Sequence, residues 1–229
     1  MTETLNAHKG LAFDALSFSQ SGFEIQPRFP TPFLVAPVNE AAELKPHLSQ
    51  IILAHASRMS GVARSNAGGW QSDADFADWG GPAAEVLLTA ACHLATLFTA
   101  VETDDGLLEG APAWRVNAWA NINEPGDANR PHHHPAAFWS GVYWVDDGAE
   151  DEDIEVGGEF EMQDPRGVLP AFYAPRLRYA VPGGLTAGRE DFFTPRAGVL
   201  VMFPSWLVHA VRPYAGTRRR ISVAFNLSV

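Results

Sequence analysis

From Trp114 onward the chain carries a two-residue rhythm. Along Arg115–Ile122 the residues Val116, Ala118, Ala120 and Ile122 alternate with Asn117, Trp119 and Asn121. That period predicts a strand with two distinct faces. Short apolar runs follow at 138–145, 158–162, 198–203, 207–211 and 220–227, punctuated by Gly and Pro. Strands at this spacing predict a sandwich or barrel rather than parallel βαβ units. The first half keeps a different period. Leu44, Leu48, Ile51, Ile52 and His55 recur at steps of three and four, which predicts a helix from a cap at Asn39 to about residue 59, with Pro46 marking its first turn. Pro82 opens a second helix whose stripe, Val86, Leu87, Ala90, Ala91, Leu94, Leu97, Phe98 and Val101, runs to about residue 102. Phe23–Ile25 and Phe33–Ala36 are short extended stretches among Pro27, Pro30 and Pro32, suited to edge strands. Residues 1–22 are polar and weakly patterned, which predicts a flexible arm. The expected organisation is one domain over 23–229, with a helical flank at about 39–102 and a barrel at about 114–229.

Composition narrows the function classes. The 229 residues are 46% apolar and 19% charged, as in an ordinary globular protein. A net charge of −11 disfavours nucleic acid and anionic membrane as partners. The single cysteine, Cys92, precludes an internal disulfide and reads as a small apolar residue. No leader-like N-terminus stands out, and no run approaches the roughly 18 apolar residues of a membrane span; a cytoplasmic protein is expected. The acidic stretch 146–155 reads as a solvated loop, since it lacks the ligand spacing of a calcium site.

The candidate chemistry lies in three stretches. His132, His133 and His134 precede an aromatic-rich strand, and His209 sits inside a later apolar run. In a strand, positions i and i+2 share a face, so His132 and His134 can hold one ion with His209 while His133 points away. Imidazoles suit iron, zinc, copper and nickel. In the last strand Arg220, Ser222, Ala224 and Asn226 share one face. An inward Arg220 requires an anion, either an internal carboxylate or a bound dicarboxylate gripped with help from Ser222. Ser65–Ser72 is a turn-rich loop around Trp70, read either as a structural turn or as a wall of the site.

These stretches resemble the 2-oxoglutarate/Fe(II)-dependent oxygenases, and most closely a bacterial and phage branch of them. The resemblance rests on Ser65–Ser72, on His132-His133-His134-Pro135 leading into Ser140-Gly141-Val142-Tyr143-Trp144-Val145, on Asp164-Pro165-Arg166, on Phe203-Pro204-Ser205 with His209, and on Arg220–Asn226. It implies a mainly β fold, a double-stranded β-helix (a jelly-roll, cupin-like barrel) with N-terminal helices packed outside. It implies Fe(II) and 2-oxoglutarate as cofactors, with O2 consumed, succinate and CO2 released, and a small-molecule or peptide substrate hydroxylated. His132 and His209 match the first and last metal ligands. Arg220, eleven residues after His209, matches the arginine that binds the distal carboxylate of 2-oxoglutarate, and Ser222 completes the arginine-x-serine pair. The sequence departs from the superfamily at position 134, where histidine replaces a carboxylate. Two ligand sets follow: His132, His134 and His209, or one clustered histidine and His209 with a carboxylate from Glu159, Glu161 or Asp164. Asn117, Trp119, Tyr143 and Asn226 are candidate pocket residues, and Phe138, Trp139 and Trp206 further aromatic ones. The competing readings are a cupin-like metalloenzyme without 2-oxoglutarate and a non-catalytic ligand-binding barrel.

Overall fold

A computed structural model describes residues 25–26, 28–109, 112–149 and 157–229. The expected arm at 1–22 and most of the acidic stretch at 146–155 lie outside them. The chain divides into two compact units, Met1–Pro30 and Thr31–Val229. The sequence suggested a break near residue 22; the second unit, which carries every feature below, begins at Thr31.

In chain order this unit consists of β1 (Leu34–Pro37), α1 (Ala41–Ala56), β2 (Asn66–Ala67), β3 (Trp70–Gln71), α2 (Phe76–Trp79), α3 (Gly81–Leu97), β4 (Ala100–Thr103), β5 (Gly106–Glu109), β6 (Arg115–Asn123), β7 (Ala128–His132), β8 (Trp139–Asp146), β9 (Phe160–Gln163), α4 (Leu169–Tyr173), β10 (Glu190–Phe193), β11 (Val199–Pro204), β12 (His209–Val211) and β13 (Arg220–Ser228). Six strands form one sheet in the order β1-β11-β8-β13-β6-β3. Five form the facing sheet, β10-β9-β12-β7-β2, and β4-β5 is a separate hairpin. The main pairings are antiparallel, and the Phe33–Ala36 stretch supplies β1 at the edge of the larger sheet.

Strand alternation sorts β13 and its neighbours into two faces. Ile221, Val223, Phe225 and Leu227 join Tyr143, Val145, Leu200 and Met202 beneath the helices. Leu48 and Ile52 of α1 and Ala84, Ala91 and Ala95 of α3 complete this layer, all fully buried. Burying a leucine- or isoleucine-sized side chain contributes about 1.5–3 kcal/mol. The buried stripe of α3 keeps the expected Leu87 and Ala91, but Val86 and Leu97 face out, and Ala84, Leu88 and Ala95 complete the buried side. A helix this rich in Ala and Leu offers two apolar faces, and the alanine face permits the closer approach. The helix stops at Leu97, so Val101 belongs to the β4-β5 hairpin. Pro46 lies within α1, at the cost of one helical hydrogen bond, rather than at its first turn. The opposite face of the large sheet looks onto the smaller one. There Trp144, Val201 and Phe203 pack with Phe160 and Leu207. The candidate site side chains His209, Arg220 and Ser222 lie on the strands that bound this inter-sheet space.

Candidate active site

Register brings the histidines together. His132 ends β7 and pairs directly with His209, the first residue of β12. His134 lies beyond the strand end, and its backbone N–H donates to the Ser205 carbonyl (2.9 Å). The three residues present ligand atoms all within 4.8 Å of one another. Their ring centroids lie 4.3 Å (His132–His209), 5.0 Å (His132–His134) and 5.1 Å (His134–His209) apart. His133 is exposed, as expected.

Hydrogen bonds set which nitrogens are available. Nδ1 of His132 donates to the Arg130 carbonyl (2.7 Å), and Nδ1 of His209 to the Leu207 carbonyl (2.8 Å). A carbonyl oxygen only accepts, so in both rings the proton is on Nδ1 and Nε2 carries the lone pair that a metal ligand requires; in His132 that lone pair accepts from the Ser65 hydroxyl. Ser65 Oγ lies 3.4 Å from His132 Nε2 and accepts from Asn129 Nδ2 (3.2 Å). The Ser65–Ser72 loop is thus both a turn, anchored by the Trp70 indole on the Met59 carbonyl (3.0 Å), and a wall of the site. Phe160 stacks on His209 (5.0 Å), Phe203 meets it edge-on (4.7 Å), and Trp119 lies 5.6 Å from His134. Burial in these apolar walls pushes the pKa of His209 down to about 3 and that of His134 to about 4, with the neighbouring imidazoles adding to the effect. That of His132 falls for the same main reason. The rings are neutral at pH 7, the state that coordinates metal.

No carboxylate of a described residue joins this group. On β9 it is Met162 that faces His209, while Glu161 pairs with Ala210, so alternation turns Glu161 and Glu159 away. Asp164 is bonded to the Arg166 guanidinium (2.8 Å) and the Gly188 N–H (2.6 Å). The charge of Glu159 is felt at Arg220 instead, where it favours the guanidinium together with Asp147.

Arg220 forms a second pole of the interior. It is 3% exposed, and burial pushes its pKa down to about 10, so it remains a cation. Nη1 donates to the Gly158 carbonyl (2.5 Å), while Nε has no partner. Gly158 has φ +70°, and a Cβ there would lie 2.1 Å from Arg220 Nη1; glycine is required for the guanidinium to be seated. On the same face of β13, Ser222 pairs across to Trp144, whose buried indole N–H is also without a partner. Two orphaned donors, one of them cationic, fit an anion with more than one acceptor oxygen. Trp144 was not among the expected site residues.

The remaining candidates separate by face. Asn117, Trp119 and Asn226 share the inner face with Arg220; Asn226 accepts from Ser140 Oγ (2.7 Å). Tyr143, expected in the pocket, is on the other face of β8, fully buried beneath the helices with its hydroxyl unpartnered. Trp139 shares that side and donates to Thr99 Oγ1 (2.9 Å). Phe138 and Trp206 are exposed, respectively four residues after His134 and three before His209.

Residues 117–226 match the sequence model of the family described as "Putative 2OG-Fe(II) oxygenase". Over these residues the barrel is similar to that family. The match runs from Asn117 on β6 to Asn226 on β13 and so includes both poles. No curated protein matches the sequence. Solved structures share the fold at low identity. A Pseudomonas putida prolyl-4-hydroxylase is 18% identical, with TM-score 0.56 over 86% of this chain and 91% of its own. A Trichoplax adhaerens prolyl hydroxylase, in complex with a hypoxia inducible factor peptide fragment, is 12% identical, with TM-score 0.58 over 86% and 83%. HygX from Streptomyces hygroscopicus, with nickel and 2-oxoglutarate bound, is 14% identical, with TM-score 0.55 over 86% and 83%. The architecture is therefore the double-stranded β-helix of these enzymes, and the protein is an oxidoreductase of the 2-oxoglutarate-dependent dioxygenase type. Iron(II) and 2-oxoglutarate are its cofactors, and the histidine cluster fits the metal. Among the described residues no helix is long and apolar enough to cross a membrane.

Proposed function

We propose that this oxygenase hydroxylates an organic substrate at an iron(II) held by His132, His134 and His209, with 2-oxoglutarate anchored at Arg220. The observation that carries this reading is the buried guanidinium with an unpartnered Nε in the same interior as three converging imidazoles. Gly158, whose carbonyl accepts from Arg220, lies two residues before β9, the strand on which Met162 faces His209. Arg220 would hold the distal carboxylate, with the Trp144 indole and Ser222 hydroxyl as further donors. Apolar walls at Phe160 and Phe203 would keep bulk water from the metal. When bound, iron and 2-oxoglutarate supply the oxidising chemistry, with succinate and CO2 as co-products. The residues hold, orient and desolvate.

The decisive experiment measures succinate release from 2-oxoglutarate with iron and ascorbate, beside the thermal shift that 2-oxoglutarate induces in Mn(II)-loaded protein. A shift in the wild type that disappears in Arg220→Ala supports the reading. No shift, and no succinate with any candidate substrate, refutes it. A cupin-like enzyme without 2-oxoglutarate would also use three histidines, but would have no use for a buried unpaired guanidinium. In solution we expect a cytoplasmic protein.

A further inference from the structure

The chain leaves β9 at Gln163, one residue after Met162 faces His209, and returns in β10 with Glu190 opposite Gln163. Everything between them therefore projects beside the metal-bearing end of the barrel. This projection has a built base. The Asp164 carboxylate grips Arg166 near one end of the segment and the Gly188 N–H near the other, and Arg189 Nη2 ties back to the Pro175 carbonyl (2.9 Å).

Its surface differs from the rest of the protein in two ways. Leu169, Phe172, Tyr173, Leu177, Tyr179 and Leu185 are all 58–77% exposed, within seventeen residues of sequence. Residues 164–189 also contain four arginines against one acidic residue, Asp164, which is paired with Arg166. Removing that net charge of +3 from the net −11 leaves −14 on the rest of the chain. Among the described residues Arg176 makes no hydrogen bond or ion pair. Exposed aromatic and aliphatic side chains interleaved with arginine are the composition of a protein-recognition surface.

We propose that this segment is the platform on which the oxygenase receives its substrate, and that the substrate is a polypeptide carrying carboxylates beside apolar side chains. The assignment rests on the oxygenase reading above. Charge favours this occupant: the arginines attract acidic groups, while the strongly negative remainder of the chain repels an anionic lipid surface.

The probe is fluorescein-labelled poly(Glu,Tyr), titrated with Mn(II)-loaded full-length protein and followed by anisotropy. Saturable binding is expected, weakened on the order of tenfold in Arg176→Glu/Phe172→Ser, which changes two exposed side chains. The melting temperature and the 2-oxoglutarate-induced shift should be unchanged in that variant. Poly(Lys,Tyr), which the acidic remainder of the chain attracts, should bind no more weakly in that variant than in the wild type. Poly(Glu,Tyr) binding that survives the double substitution, or an equal loss of both copolymers in it, overturns the proposal. So does a dimer in sedimentation equilibrium that the same substitution dissociates, which would assign the surface to a second copy. Loss in this variant of cosedimentation with phosphatidylserine vesicles would assign it to lipid, with the same consequence. His209→Ala should lose metal yet keep the copolymer. A failed oxygenase reading and a failed platform are thereby told apart.

Discussion

The two ends of the barrel interior handle polarity in opposite ways. At the metal end, three side chains that could be charged are held neutral by burial, and two of them have their proton placed by a backbone carbonyl. At the other end, Arg220 cannot be neutralised and is kept as a cation with one carbonyl beneath it. Neutral imidazoles are inexpensive to bury and wait for a cation. A buried guanidinium with an orphaned donor costs stability unless an anion arrives. The first end is a site that folding itself tolerates. On the reading proposed above, the second awaits its anion.

Substitutions at each end should therefore separate. His209→Ala should abolish stoichiometric iron or manganese binding, a loss beyond the about 10–100-fold that follows removal of a mere supporting partner. Equilibrium dialysis reads it, and retained one-to-one metal would remove His209 from the set. Arg220→Met should keep the metal and weaken 2-oxoglutarate by roughly 100-fold, in the range for breaking a buried charge pair. The same variant should melt higher than wild type when ligand-free, by about 1–3 kcal/mol in stability, because a desolvated charge that Asp147 and Glu159 offset only in part has gone. A fall in ligand-free stability would show that Arg220 has a structural partner after all. Acidification probes the metal end. The unfolded chain protonates its histidines near pH 6.5, whereas folded His134 and His209 resist until about 4 and about 3. Between those values the unfolded state binds more protons, so stability of the metal-free protein should be full above pH 7 and fall progressively below 6.5. Chemical denaturation across that range measures it, and replacing both histidines should flatten the curve. The smallest effect is expected for Trp144→Phe, which removes one donor: about 1 kcal/mol, or roughly fivefold in 2-oxoglutarate affinity, with metal unaffected in calorimetry.

Much of this plan is legible in the chain. The alternation at 115–122 predicts β6 to within one residue, and the arginine-x-serine pair on one face of β13 emerges from period alone. The histidine pair is subtler. A shared strand face was the reason to put His132 and His134 together, yet only His132 is in a strand; His134 is turned inward by its N–H on Ser205, a contact across 71 residues. Along β8, Tyr143 and Trp144 could not be ordered, because the strand is buried on both faces and Ser140–Val145 shows no alternation to break the tie. Pairing with β13 decides it and turns the indole, not the phenol, inward. The choice between a histidine and a carboxylate ligand likewise needed the register of β9 against β12, which no local pattern carries.

Gly158 has a consequence for how this protein can be used. The guanidinium of Arg220 occupies the space where a side chain at 158 would be, so the anion-binding end depends on an atom that is missing. Adding the smallest one, in Gly158→Ala, evicts an arginine without touching it or any histidine. That substitution is a route to a reagent: a barrel loaded with metal but blind to its co-substrate, suitable for trapping whatever the platform beside it delivers.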